Sequence, residues 1–178
     1  SVAYDPLDGS SNASYNGAVG SIFAIHQGPL MDGRTPRESM VAALYVLYGG
    51  ATTLVCNVGD KVKGYLLDFN WEWSLWKKDI KMNEVASRLS SGGAEPSWSD
   101  EHKRYISYLR GRGYKDQFSR CLVSDINQTL LRGNHLFTYP LCRMQDGSES
   151  ATLRTMFELQ AMSFLIERAG GSATNGVE

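Results

Sequence analysis

Two carboxylates and a run of small residues stand together near the start of the chain, in Asp5-Pro6-Leu7-Asp8-Gly9-Ser10-Ser11-Asn12. Asp5 and Asp8 offer the hard oxygen donors that Mg²⁺ takes, and Mg²⁺ usually keeps positions open for substrate phosphate. Proline fixes its own φ and pushes the preceding residue into an extended conformation. Asp5 is therefore expected as the last residue of a buried strand ending Val2-Ala3-Tyr4, with Pro6-Leu7 turning the chain so that Asp8 returns to the same point. The Leu7 carbonyl then becomes a third candidate oxygen ligand. Gly9 can adopt a backbone conformation closed to other residues, and the amides of Gly9, Ser10 and Ser11 can form an anion-binding concavity. A lone D-x-x-D is an ordinary surface turn. The whole octapeptide behind an apolar strand reads instead as a loop holding a divalent cation on one side and a phosphate on the other.

A second acidic candidate lies far downstream. Glu158 falls at the start of the last helical pattern, where the positive end of the helix dipole keeps a carboxylate ionised, and Arg154 precedes it by one turn. On their own these two read as helix-start electrostatics and a surface charge. No Ser-His-Asp or Cys-His arrangement is evident, and His26, His102 and His135 occupy unrelated contexts.

Composition narrows the field. The 178 residues carry 18 Lys and Arg against 19 Asp and Glu, a net charge of −1, which gives no nucleic-acid footprint and no polybasic membrane patch. No apolar run approaches a membrane span and no signal peptide is visible. Cys56, Cys121 and Cys142 are widely spaced and odd in number, which fits reduced thiols in a cytoplasmic compartment better than a disulfide framework. The chain reads as opening inside a strand and closing at the start of another, the pattern expected of a piece of a longer protein.

The elements that must position these residues follow from periodicity. Val19 to Ile25 reads as a buried strand. Thr35-Pro36-Arg37-Glu38 is a capping box with proline at the first helical position, and Val41, Leu44, Tyr45 and Tyr48 follow at helical spacing up to Gly49-Gly50, so a helix is expected there. Thr52–Val58, Lys63–Phe69 and Trp71–Lys77 read as an antiparallel meander in which Trp71, Trp73 and Trp76 serve packing. Ser87 to Ser99 is the expected linker, followed by a helix from Ser99 to Arg110. Gln117–Val123 reads as a strand, Ser124 as the cap of a short helix to Leu131, His135–Tyr139 as a strand and Arg143–Ala151 as a polar loop. A buried helix over Met156–Ala169, ended by Gly170-Gly171, completes the series.

Taken together, these segments resemble the class I fructose-1,6-bisphosphatase family and its relative sedoheptulose-1,7-bisphosphatase, within the Mg²⁺-dependent sugar phosphatases. Asp5 to Asn12 matches the signature loop without a gap, and Val19-Gly20-Ser21-Ile22-Phe23 resembles the strand after it. Val41-Ala42-Ala43-Leu44-Tyr45 to Thr52, Leu153-Arg154-Thr155-Met156-Phe157-Glu158, and Phe164 to Gly171 resemble later family segments. The match is weakest between Lys81 and Val123.

The resemblance implies a layered αβαβα fold of α/β class, incomplete at both ends, with residues 1–104 in a metal and phosphate domain and 105–178 in a substrate domain. It implies Asp5, the Leu7 carbonyl, Asp8 and Glu158 as ligands of Mg²⁺ or Mn²⁺, with the three carboxylates catalytic. Gly9, Ser10 and Ser11 would lie near the scissile 1-phosphate, and Tyr139 and Arg154 would contact sugar and phosphates. The substrate implied is fructose-1,6-bisphosphate, with sedoheptulose-1,7-bisphosphate or non-catalytic sugar-phosphate binding as alternatives. A cytoplasmic homo-oligomer is implied, or a plastid one in a photosynthetic eukaryote. Further acidic ligands would lie upstream, leaving the 178-residue chain nearly inactive alone. Thr152 stands where the family has a phosphate-binding lysine, and Phe118-Ser119-Arg120-Cys121 replaces an Arg-Tyr-x-Gly-Ser stretch.

Overall fold

The computed structural model describes residues 1–30, 32–57, 59–144 and 146–176. The apolar segments of the first half form strands that pair in sequence order. They are β1 (Val2–Asp8), β2 (Val19–His26), β3 (Met40–Tyr48), β4 (Thr52–Asn57), β5 (Val62–Leu67) and β6 (Trp73–Lys77), with the single turn α1 (Pro36–Ser39) before β3. They build a six-stranded sheet in which each neighbouring pair is antiparallel.

The helix expected over Thr35–Tyr48 ends at Ser39. Thr35 and Glu38 do form the capping box, but Met40–Tyr48 is a strand in the middle of the sheet. That segment is apolar at every position, so it satisfies a period of 2 as well as one of 3.6. Ladder partners on β2 and β4 settle the choice, and Gly49-Gly50 becomes a turn between strands. The meander is as expected, apart from Val58, which lies outside the described residues.

One face of this sheet is covered. Ile22, Ala24, Ala43, Tyr45, Val55 and Val62 pack with two helices of the second half, α3 (Leu122–Arg132) and α4 (Gln160–Arg168), to form the main core. The approach is close at Gly20, where a Cβ would lie 2.6 Å from the Val46 carbonyl oxygen and 2.8 Å from Val123 Cγ1. The opposite face leaves Val2, Tyr4, Tyr48, Trp73 and Leu75 exposed. The meander tryptophans are not core residues of this chain: Trp71 is 82% exposed, and Trp73 and Trp76 lie open on the edge strand.

A second, smaller sheet lies on the other side of α3. It has the order β8 (Lys115–Asp116), β7 (Arg88–Ser91), β9 (His135–Thr138), with both pairs parallel. The helix α2 (Asp100–Gly111), capped by Ser99, packs Ile106 and Leu109 against Leu89. The segment expected as a linker therefore supplies the central strand. Its low apolar content misleads because Ser90 and Ser91 are buried through hydrogen bonds, Ser90 Oγ to Asp125 and His135 and Ser91 Oγ to His102. The strand expected over Gln117–Val123 is instead a loop running into α3, which starts two residues before Ser124. The expected polar loop contains a small ribbon, β10 (Cys142–Arg143) with β11 (Glu149–Ser150), and its Gln145 lies outside the described residues. The last helix opens with a π-helical turn, Thr155–Leu159, before α4. Sheet, helix pair, sheet and helix follow one another as layers, which bears out the α/β class.

Candidate active site

Asp5 and Asp8 meet by a route the sequence did not suggest. The chain does not turn at Pro6-Leu7; β1 continues through Asp8. Proline is tolerated because β1 is an edge strand, where a missing N–H need not break the ladder. In a regular strand, residues three apart point to opposite faces. Here Asp5 pairs with Ile22 and Asp8 with Gly20, so β1 uses one more residue than β2 between them. This bulge brings both carboxylates to the face on which α3 and α4 pack, a device common beside active sites. Ser21 Oγ donates to the Pro6 carbonyl at 2.8 Å, and Asp5 Oδ1 accepts from the Leu7 N–H at 3.0 Å; both bonds hold the bulge in shape.

Glu158 arrives from the π-helical turn. π turns recur at functional sites because the extra residue re-aims a side chain. Glu158 is buried to 6% exposure and accepts the Arg154 backbone N–H at 2.5 Å. Oxygens of Asp5, Asp8 and Glu158 lie within 4.8 Å of one another. Burial pushes the Asp8 and Glu158 carboxyls above their ordinary range, and mutual charge, including that of Asp5, adds to the rise. Hydrogen bonds from Val123 and Cys121 to Asp8, and from Arg154 to Glu158, oppose it. Three carboxylate oxygens gathered this closely, two of them on buried residues, suit a hard divalent cation, and no lysine or arginine makes an ion pair with any of them among the described residues.

Asp8 has a second attachment. Its Oδ2 accepts the Val123 N–H at 2.8 Å and the Cys121 thiol at 3.1 Å. Val123 is in the first turn of α3, whose cap residue, Cys121, offers that turn no side-chain capping bond. Asp8 therefore caps α3 from across the core, satisfying an amide that would otherwise be orphaned. Beside it, Gly9 adopts φ +71°, and a Cβ there would sit 3.0 Å from Cys121. Ser10 and Ser11 open a 3₁₀ turn, so their amides have no carbonyl behind them in the turn.

The cluster borders a cavity of about 760 Å³ that is also lined by Leu7, Gly9, Ser10, Ser11, Tyr139 and Arg154. Each expected site residue thus borders the same space. Its other walls come from residues sequence reasoning did not assign: Gly93, Ala94, Phe118, Arg120, Cys121 and Phe137, with Thr152 among them. Several of these lie just beyond the carboxyl ends of the parallel strands, the usual ligand crevice of α/β sheets. Gly92 lies flat on Tyr139, since a Cβ there would fall 2.1 Å from the ring, and Phe118 meets Tyr139 edge to face at 6.3 Å. The sequence marks Phe118, Arg120, Cys121 and Thr152 only as departures from the family pattern, and Gly93 only as half of a glycine pair inside the expected linker.

Residues 1–78 match the family model described as the N-terminal domain of fructose-1,6-bisphosphatase, and residues 82–178 match the one described as its C-terminal domain. The chain belongs to the fructose-1,6-bisphosphatase family. It is 42% identical over 176 residues to the class 1 fructose-1,6-bisphosphatase of Trichlorobacter lovleyi, covering 99% of this chain and 54% of the relative. It is 43% identical over 176 residues to that of Campylobacter jejuni, covering 98% of this chain and 59% of the relative. Among solved structures, Leishmania major fructose-1,6-bisphosphatase in holo form superposes with a TM-score of 0.83 at 34% identity, over 95% of this chain and 56% of that one. The apo form gives a TM-score of 0.82 at 33% identity, covering 95% and 58%. The chain spans little more than half the length of these fructose-1,6-bisphosphatases.

Proposed function

We propose that this chain supplies part of the active centre of a divalent-cation-dependent phosphatase that removes the 1-phosphate of fructose-1,6-bisphosphate, leaving fructose 6-phosphate and inorganic phosphate. The observation that carries the reading is the convergence of Asp5, Asp8 and Glu158 within 4.8 Å at one end of a sugar-sized cavity. Those carboxylates and the Leu7 carbonyl would hold Mg²⁺, or Mn²⁺, together with acidic groups from sequence outside this chain. Bound metal would supply charge neutralisation on the phosphate, a more acidic water and a stabilised leaving oxygen.

The chain's own groups do the rest. The Gly9, Ser10 and Ser11 amides receive phosphate oxygens, which preorganised N–H donors stabilise as negative charge builds. Tyr139, fixed by Gly92 and Phe118, presents an aromatic face and a hydroxyl to the sugar. Arg154 adds a cation beside the cluster. No histidine borders the cavity to activate Ser10 or Ser11, and the Cys121 thiol donates to Asp8, which supports direct attack by water. Among the described residues no helix is long and apolar enough to cross a membrane. The three cysteines are free, which supports a reducing, cytoplasmic setting.

Phosphate release by the full-length protein, with fructose-1,6-bisphosphate and sedoheptulose-1,7-bisphosphate in parallel and with Mg²⁺ or EDTA, tests the proposal. Turnover that needs Mg²⁺ and prefers the fructose compound is the expected result. Preference for the seven-carbon sugar would reassign the substrate. Sugar-phosphate binding that ignores EDTA, with no turnover, would make the protein a binding relative.

A further inference from the structure

A chain of hydroxyls reaches the acidic bulge from the reverse side of the sheet. Asp5 pairs with Ile22 and Asp8 with Gly20, so a single residue, Ser21, stands opposite Pro6 and Leu7. Side chains alternate along a strand, and Ile22 packs in the core, so Ser21 belongs to the open face that also carries Tyr48. Ser21 is nevertheless buried. Its Oγ lies 2.8 Å from the Pro6 carbonyl oxygen and 3.0 Å from Tyr48 Oη. A carbonyl can only accept, and a serine hydroxyl has one proton to give. Ser21 therefore donates to Pro6, and Tyr48 donates to Ser21. The chain crosses three strands, from β3 through β2 to β1.

What it grips is one peptide unit. The carbonyl of the Pro6–Leu7 peptide accepts from Ser21, and its N–H donates to Asp5 Oδ1 at 3.0 Å. A peptide is planar, so holding its two ends sets the orientation of the whole plane. Proline brings no N–H of its own to the ladder, which leaves side chains to do this. The plane in turn sets how the chain leaves on either side, toward the Asp5 carboxylate before it and toward the Leu7 carbonyl and Asp8 after it. These are the groups assigned above to the cation.

We propose that Ser21 and Tyr48 are positioning residues of the cation site, their hydroxyls holding the Pro6–Leu7 peptide in the orientation that lets Asp5, Leu7 and Asp8 meet one ion. This rests on the reading that those groups bind a divalent cation. Neither residue borders the cavity, so both act through the backbone.

The test is titration of the full-length protein with Mn²⁺, followed by electron paramagnetic resonance, in Ser21→Ala, Ser21→Thr, Tyr48→Phe, the Ser21→Ala/Tyr48→Phe double variant and the unaltered protein. Mn²⁺ affinity is expected to fall about 10-fold in Ser21→Ala and about 3-fold in Tyr48→Phe, the loss of one hydrogen bond in each case. Ser21→Thr, which keeps the hydroxyl on a strand, retains the affinity. The double variant is no weaker than Ser21→Ala, because without Ser21 the Tyr48 hydroxyl has no path to Pro6. Fructose 6-phosphate affinity at saturating Mn²⁺ holds in all of them, whereas general loosening of the fold would lower it too. Unchanged Mn²⁺ affinity in Ser21→Ala or in Tyr48→Phe would overturn the inference. So would equal losses in Ser21→Ala and Ser21→Thr, or losses that simply add in the double variant. Failure of the cation reading appears separately, as no Mn²⁺ binding by the unaltered protein, and failure of the phosphatase reading as no phosphate release by it.

Discussion

The two walls of the cavity are built on opposite plans. The acidic wall is largely a contiguous stretch of β1 and the loop after it, joined by one distant residue, Glu158. The other wall is gathered from short loops behind three parallel strands: Gly93 and Ala94 after β7, Phe118, Arg120 and Cys121 after β8, and Tyr139 after β9. The carboxylates of the first wall crowd one another at a cost that a cation offsets. Behind the second wall, Asp125 is also buried and its carboxyl is pushed up to about 6 by desolvation, yet it is engaged by Ser90 and Ser119. One wall carries crowded charge that no ion pair among the described residues balances; the other is satisfied internally and serves as a frame.

The largest expected effect strikes the first wall. Asp8→Asn in the full-length protein should lower Mg²⁺-dependent phosphate release by orders of magnitude, because it weakens the metal site. An unchanged rate would show that the acidic wall is not where the chemistry occurs.

The crowding itself can be measured. The Asp8 and Glu158 carboxyls titrate above their unfolded values. Without a cation, these two groups therefore favour folding most at low pH, and their contribution falls as pH rises through the raised values. Cation binding needs them ionised, so protons compete with Mg²⁺ more strongly than at ordinary carboxylates. Saturating Mg²⁺ should raise the Tm by roughly 5–10 °C at pH 8 and by much less at pH 5. Taking the difference with and without Mg²⁺ at each pH cancels the histidines and Asp125. Equal shifts at both pH values would remove Asp8 and Glu158 from the site.

These two walls were not equally legible. The acidic loop stood out because its residues are adjacent in sequence, although the means of convergence differed: a bulge on an edge proline strand does what a turn was expected to do. The meander was legible because its turn residues punctuate it. Met40–Tyr48 was not, since an unbroken apolar run carries no period and only neighbouring strands decide its form. Arg88–Ser91 was missed because its burial rests on serine hydroxyls bonded to His135, His102 and Asp125, partners remote in sequence. Arg120 and Phe118 stand out in the sequence only as departures from a family pattern, and the fold is what places both beside the cavity.

A smaller effect is expected on the frame. Gly92→Ala places a methyl against the Tyr139 ring and should cost roughly 1–3 kcal/mol in thermal unfolding, with weaker sugar-phosphate binding because the ring must move. Mg²⁺ binding should be retained, which separates the walls; its loss would mean that they are mechanically joined. The smallest effect belongs outside both. Trp71 is exposed at φ +64°, so Trp71→Gly should leave activity intact and shift stability by less than about 1 kcal/mol. A large loss would assign the open tryptophans a partner.

The carboxylate of Asp8 is shared between the cavity and the first turn of α3, and this joins two things that are separate in many proteins. Whatever alters its charge, whether a proton, an ion or a departing phosphate, is felt at the amide of Val123 in the interior. The helix that glues the sheets together is thus moored to a carboxylate of the proposed cation site.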